Sequence, residues 1–304
     1  MRKFFAFLTV MLLILNSFTV NADSAIDSRE VLAESVFGKN GFNIGINSQG
    51  EDVITRAEMA KIMYNISNGG KYILNGVVEK PRYEKFNDVG ETHWAYEYIE
   101  ALRSEGIFNG DGDGNFKPDQ PCKYVDFVKT AISVTGYSVL YNSKGFGDTY
   151  FEKCYKIAQK MNINLSDFTV DGYVTANDVY LILFDMLFVP QIREVSYAYP
   201  SAVYATSYNL LKLKYGIEVY LGYFNKNDEN LYLLSDSGLN FTGTVCNDEK
   251  FESGYVICFY KINEQTQENE IVLCVSISEK IYRSLVEKYD KYKIESVKYD
   301  EYYH

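Results

Sequence analysis
The sequence predicts a mixed fold: an all-α segment of short helices over residues 23–190, followed by a small β-rich α+β domain over 191–304. Three observations carry this. Apolar residues recur at helical spacing, between cap residues and glycine stops, as far as residue 190. Beyond it they alternate with the period of two that strands require. A hydrophobic content of 47% over 304 residues is enough to give both parts a core.

Residues 1–22 read as an export signal. Arg2-Lys3 precedes an apolar run over 4–15, and Val20-Asn21-Ala22 offers a small-residue cleavage site, so the mature chain is expected to begin near Asp23. Asn16 and Ser17 break the run well short of the ~20 residues that a membrane span needs. Ser28 is placed to cap a helix through Val31, Leu32 and Val36 that stops near Gly38.

The next helix opens on Ile54-Thr55-Arg56-Ala57-Glu58 and continues through Met59, Ala60, Ile62, Met63 and Ile66. Thr55 and Glu58, three residues apart, form a capping box in which each side chain takes an otherwise orphan backbone N–H. Arg56 falls at the first helical position, where the macrodipole disfavours a cation by roughly 0.3–1 kcal/mol. Two environments explain it. Free N–H groups, the dipole and the guanidinium fork converge on one bound anion, or the arginine is solvated or paired with a nearby acid.

After a linker over 67–85, Phe86-Asn87-Asp88-Val89 leads to Thr92-His93-Trp94-Ala95. Thr92 is the expected cap, Trp94, Ala95, Tyr98, Ile99 and Leu102 share one helical face, and Gly106 supplies the left-handed stop. Asp111-Gly112-Asp113-Gly114-Asn115-Phe116-Lys117-Pro118 follows as a tight turn, and a helix from about Tyr124 to Val134 turns Phe127, Val128, Ala131 and Ile132 inward. A third set comprises Phe146-Gly147-Asp148, a helix through Tyr155, Ala158 and Met161, and Val174-Thr175-Ala176-Asn177-Asp178 opening an apolar helix to Leu187.

Past Pro190, residues 191–209 are rich in Tyr, Ser and Ala and read as a crossing between domains. Ile217, Val219 and Leu221 begin a strand that pairs through a polar turn at 225–228 with a second over 231–234. A short strand over 241–245 follows, then a pairing of 255–260 with 271–277, a helix capped by Ser276 and Glu279 that carries Ile281 and Leu285, and a last strand over 294–299.

The formal net charge of -11 argues against nucleic acid as a partner, because phosphate backbones are held by clustered Lys and Arg. Five cysteines lack metal-like spacing, and an odd number leaves at least one without an intrachain partner. With only His93 and His304, a Ser or Cys nucleophile has no well-placed imidazole. Asp248, Glu249 and Glu252 keep a carboxylate-based glycoside hydrolase as an alternative. Asn109 to Gly114 looks like the start of a calcium loop. Its twelfth position is Gln120 in place of a bidentate Glu, and Pro118 interrupts it, so a turn without metal is expected. No cofactor is implied.

The order of Phe-x-Asp-Val, His-Trp-Ala, a helix ending in Gly-Ile and Gly-Asp-Gly-Asp-Gly-Asn-Phe-Lys-Pro resembles the S-layer homology repeat, and Ile54 to Glu58 resembles that family's Ile-Thr-Arg-Ala-Glu. The resemblance implies three repeats, about 28–68, 86–137 and 146–190, docked as a pseudo-threefold helical bundle with grooves between neighbours. In the family such grooves bind anionic secondary cell-wall polysaccharide, often carrying pyruvate ketals, without a covalent bond. Carried over by position, Arg56 matches the arginine that meets the anion, Thr55 and Glu58 its cap neighbours, Trp94 the repeat's tryptophan, and Asp113 and Gly114 the turn that lines a groove. Two repeats depart: the second has Lys123-Tyr124, and the third has Ala176 where the first has Arg56. Lys123 is a point donor that does not reproduce a bidentate grip, so one competent groove at most is expected. The resemblance therefore implies a secreted, non-enzymatic envelope protein associated with the cell wall or S-layer, with a C-terminal domain displayed or used toward a protein partner. The alternative is a scaffold whose repeats no longer bind polymer.

Overall fold
The computed structural model describes residues 25–38, 41–67, 84–135, 150–163, 165, 169, 171–189, 191–196, 201–205, 212, 216–226, 233–245 and 250–294. The export signal, the 146–148 motif, residues 295–299 of the expected last strand, Cys246, Asp248 and Glu249 lie outside them, while Ile294, expected to open that strand, ends a helix instead. Among the described residues six helices come first: α1 (Arg29–Phe37), α2 (Arg56–Ser67), α3 (Tyr96–Ser104), α4 (Tyr124–Val134), α5 (Tyr150–Lys160) and α6 (Ala176–Met186). Local chemistry sets their starts. Ser28 Oγ accepts from Val31 N at 3.3 Å ahead of α1, and Thr175 and Asp178 close a reciprocal capping box on α6.

The start of α3 differs from the sequence expectation. Its N-cap is Ala95, with no side-chain cap, and the nearby acceptor is His93 Nδ1, which takes Ala95 N at 3.1 Å. Thr92 therefore does not cap the helix; a tight turn over 91–95 inserts the imidazole instead. The stop is as the glycine requires: Gly106 has φ +72° and donates to Arg103 O at 2.9 Å.

The segments just ahead of α2, α4 and α6 meet in a closed ring. Ile54 N donates to Val174 O at 3.0 Å, Val174 N to Cys122 O at 3.0 Å, and Cys122 N to Ile54 O at 2.9 Å. An outer set repeats the pattern, with Arg56 N to Gln120 O at 2.9 Å, Tyr124 N to Gly172 O at 3.1 Å and Ala176 N to Asp52 O at 3.0 Å. Each helix start thus spends its first backbone donor on a carbonyl of the neighbouring segment, which satisfies groups that would otherwise be orphaned. Ile54, Cys122 and Val174 are all fully buried at this junction.

Residues 191–205 are not a bare crossing. Strands β1 (Gln191–Ser196) and β2 (Ser201–Ala205) form an antiparallel hairpin. Strands β3 (Glu218–Lys226), β4 (Leu233–Ser235), β5 (Asn240–Thr242), β6 (Ser253–Ile262) and β7 (Asn269–Ser276) then close a barrel in the order β3-β4-β5-β7-β6, and α7 (Glu279–Ile294) follows. The cap of α7 is Ser278, whose Oγ accepts from Ile281 N at 3.3 Å, where the sequence pointed to Ser276.

The period of two sorts β6 and β7 into two cores. Val256, Cys258 and Cys274 face the barrel interior with Phe224 and Phe241, whereas Ile257, Phe259, Leu273 and Val275 join the core of the helices. Phe42 meets Phe259 edge-on at 5.2 Å, and Ile26 forms a parallel bridge with Ile277. On α6 the fully buried Asp185 carboxylate is shared by Arg29 of α1 and Lys288 of α7, the latter at 2.5 Å. One carboxylate thereby joins α1, α6 and α7. Among the described residues no helix is long and apolar enough to cross a membrane.

Candidate functional site
The site grows from the start of α2. Glu58 N donates to Thr55 Oγ1 at 3.1 Å, Thr55 N donates to Glu58 Oε2 at 2.9 Å, and Ser48 Oγ donates to Glu58 Oε1 at 3.0 Å. Glu58 is only 7% exposed, so its carboxylate serves the helix start and Ser48, while Thr55 is half-buried. The N–H groups that the sequence left free are also taken: Arg56 N goes to Gln120 O and Ala57 N to Pro118 O, the latter at 2.8 Å. Nothing in the backbone of this helix start is left to receive an anion, which leaves the guanidinium alone.

That guanidinium reaches across to the turn and helix of the next segment. Nε donates to Phe116 O at 2.7 Å, Cζ lies 4.9 Å from the centroid of the Phe116 ring, and Nη1 is ion-paired and hydrogen-bonded to Asp126 Oδ2. Nη2 makes no hydrogen bond to any described residue. The Arg56 side chain is 17% exposed and that of Asp126 35%. The pair is therefore partly exposed, between a surface ion pair worth about 0–1 kcal/mol and a buried one whose desolvation offsets its Coulomb gain.

The availability of Asp126 has a local cause. Asp126 occupies the same place in α4 that Glu58 holds in α2 and Asp178 in α6. In those helices the acid serves a threonine-based capping box. Here the N-cap is Lys123, which has no hydroxyl and makes no cap bond, so the carboxylate has no local duty and turns to Arg56. Sequence reading missed this partner, although the signal was present: an acid at the capping-box position behind a residue that cannot cap.

The other sequence-indicated residues divide between surface and interior. Trp94 is 51% exposed. It stacks on His93 at 5.8 Å and meets Tyr98 at 6.5 Å, and Tyr98 in turn meets Tyr64 of α2 at 5.2 Å. His93 Nε2 lies 3.5 Å from Asp119 Oδ1, so this aromatic strip is tied to the same 116–120 segment that holds Arg56. Tyr124 is buried and sits beside Gly172. Lys123 is exposed, with its backbone bridged to Tyr173.

Asp113 is exposed and Gly114 buried. Gly114 has φ +83°, a left-handed conformation that favours glycine. In this turn Asp111 Oδ1 accepts from Asp113 N at 2.9 Å and Asn115 N at 2.8 Å, and its Oδ2 pairs with Lys117 at 2.9 Å. The backbone N–H of Asn115, with Lys117 next, holds the Asp111 carboxyl well below the usual carboxylate range. Asp88 closes the turn from outside, accepting from Phe116 N at 2.8 Å and Lys117 N at 2.7 Å.

The turn, α3 and the start of α4 make up the stretch over 85–127, and this stretch matches the family model described as "S-layer homology domain". The chain carries an S-layer homology domain. The matched stretch is the second of the sets read from the sequence, the one that contributes Phe116 and Asp126 to Arg56. Relatives point the same way. A protein named "Cell surface protein" from Thermoanaerobacter kivui is 26% identical over 144 residues, 47% of this chain and 17% of that protein. "Cell surface glycoprotein 1" from Acetivibrio thermocellus is 34% identical over 79 residues, 26% of this chain and 3% of that protein. The chain thus matches only a small part of either relative's length.

Proposed function
We propose that this is a secreted cell-surface protein, held non-covalently at the envelope by three S-layer homology repeats that bind anionic secondary cell-wall polysaccharide. Residues 1–22 are the export signal, 23–190 the three repeats around a pseudo-threefold axis, and 191–304 a β-rich domain carried at the surface. The S-layer homology match and the surface relatives support the location. The ring of hydrogen bonds among residues 52–56, 120–124 and 172–176 supports the threefold arrangement.

The single observation that carries polymer binding is the state of Arg56. Its guanidinium is partly exposed, rests on Phe116, keeps Nη2 without a described partner, and is balanced by a carboxylate that is itself about a third exposed. A carboxylate on the polymer, such as a pyruvate ketal, exchanges with Asp126 at small cost, because one charge-assisted pair replaces another. Trp94 and Tyr98 offer an apolar face to a sugar ring nearby. Thr55, Glu58, Gly114 and Tyr124 shape the site from within, and Asp113 and Lys123 border it.

The test is retention of the mature chain on purified sacculi before and after extraction of the polymer. Wild type should be held only by unextracted sacculi, and Arg56→Ala should reduce retention to background. Equal retention of both proteins on both preparations would overturn polymer binding. One observation favours a second reading, a scaffold whose repeats no longer bind polymer: the backbone donors at the start of α2 are spent and the Arg56 charge already has a partner. In that case retention is indifferent to Arg56 and to extraction.

The protein is proposed to act without catalysis. Of the acids weighed for hydrolysis, Glu252 is exposed and lies 3.7 Å from Lys226 Nζ.

A further inference from the structure
The geometry points to Cys258 and Cys274 as a redox modification site: a dithiol inside the barrel that closes to a disulfide when the chain meets a small-molecule disulfide oxidant. The two residues are direct partners in the antiparallel β6–β7 ladder, and the surrounding hydrogen bonds fix the kind of pair they form. Ile277 N donates to Tyr255 O at 2.9 Å, which makes 255 and 277 a hydrogen-bonded pair. Bonding alternates along such a ladder, so three steps inward the 258–274 pair falls at a non-hydrogen-bonded position.

The opposite edge of β7 gives the same parity. Ile26 N donates to Ser276 O at 3.0 Å and Ser278 N to Ile26 O at 2.8 Å, so the even-numbered backbone groups there point away from β6. At a non-hydrogen-bonded position the Cα atoms lie about 4.5 Å apart and the side chains lean together. That separation falls within the roughly 4.4–6.8 Å that a disulfide spans.

Burial makes the pair specific. Both side chains are fully buried on the barrel's inner face with Val256, Phe224 and Phe241, and both are free thiols. Cys122 and Cys154 belong to the other core, and among the described residues no group of three His, Cys, Asp or Glu is placed to hold a metal. What remains is dithiol chemistry. One thiolate attacks the oxidant's S–S bond, forming a mixed disulfide and releasing one thiol. The second thiolate then attacks the mixed disulfide and releases the other thiol. The protein gives up two protons and two electrons, one S–S bond forms between β6 and β7, and the oxidant's S–S bond is reduced.

Because burial disfavours the thiolate, exchange proceeds when the hairpin opens or before it closes. The product ties residues 259–273 into a loop. This site is independent of polymer binding and requires only that the chain reach an oxidising environment.

The test incubates the folded full-length chain with reduced and oxidised glutathione in urea below the unfolding transition, followed by denaturing alkylation and peptide mass spectrometry. The expected result is a Cys258–Cys274 cross-linked peptide as the main disulfide, with both residues protected from alkylation. The oxidised protein should also unfold at a temperature higher by about 5 °C than the reduced one. A Cys258→Ala, Cys274→Ala double variant should show no redox-dependent shift. Full alkylation of both residues, or a main cross-link through Cys246, would overturn the assignment.

Discussion

Replacing Asp126 by Asn separates the two duties open to this carboxylate. The change keeps the side chain's size and an acceptor oxygen for Arg56 Nη1 but removes the charge. The loss to the fold should be small, about 0.5–1 kcal/mol, because the pair is partly exposed, Asn keeps the hydrogen bond to Arg56 and Asp126 caps nothing. The gain to binding follows from Coulomb's law. A ligand carboxylate seated at Arg56 about 5 Å from Asp126 is repelled by at least about 1 kcal/mol, the value in bulk water, which is the lower limit for a partly exposed pair. Removing that repulsion should strengthen binding to anionic wall polymer at least roughly fivefold.

Depletion binding on purified sacculi at low salt measures this directly, and the gain should shrink as ionic strength rises. Combining Asp126→Asn with Arg56→Ala should bring binding back to background. If Arg56→Ala abolishes binding while Asp126→Asn leaves it unchanged or weaker, Asp126 is a support for the arginine and not its competitor. The reasoning would then fail.

Three further outcomes are expected. Asp185→Asn leaves Arg29 and Lys288 without their shared buried carboxylate and should cost about 3–5 kcal/mol in urea unfolding, the largest effect of any single charge change here. Thr55→Ala removes the acceptor for Glu58 N and should cost about 1 kcal/mol in the same assay, whereas Thr92→Ala should cost close to nothing because it caps no helix. Burial of Tyr220, with its hydrogen bond to Asp236 second, pushes its phenol up to about 12. A raised folded value means that its contribution to stability is fully present below the ordinary tyrosine value of about 10 and is lost as pH rises through about 12. An ultraviolet absorbance titration should show late-ionising tyrosine absorbance, part of which shifts down in Asp236→Asn.

Much of the helical part was legible because its determinants are local. The Thr55–Glu58 and Thr175–Asp178 boxes, the Ser28 cap and the Gly106 stop each act over three or four residues and can be read as spacing. The pairing of β6 with β7 was legible for a similar reason, two apolar runs either side of a short polar loop. The start of α3 was misread because His93 and Thr92 compete for the same turn, and only the backbone path decides which side chain reaches Ala95 N. The hairpin over 191–205 was missed because neither Gln191–Ser196 nor Ser201–Ala205 alternates apolar with polar residues strictly enough to mark a strand.

The sequence by itself determined that a cation would stand at the first position of α2, that the second set of motifs would lack a capping hydroxyl, and that an acid would follow it three residues on. It did not determine that these meet. Arg56 and Asp126 are 70 residues apart, and their contact depends on three helix starts exchanging backbone hydrogen bonds around one buried junction. Only the tertiary structure decided which acid stands beside Arg56, because a carboxylate's partner is whichever cation the fold leaves within reach. The same holds for Cys258 and Cys274: the chain sets their identities, but strand register alone makes them neighbours.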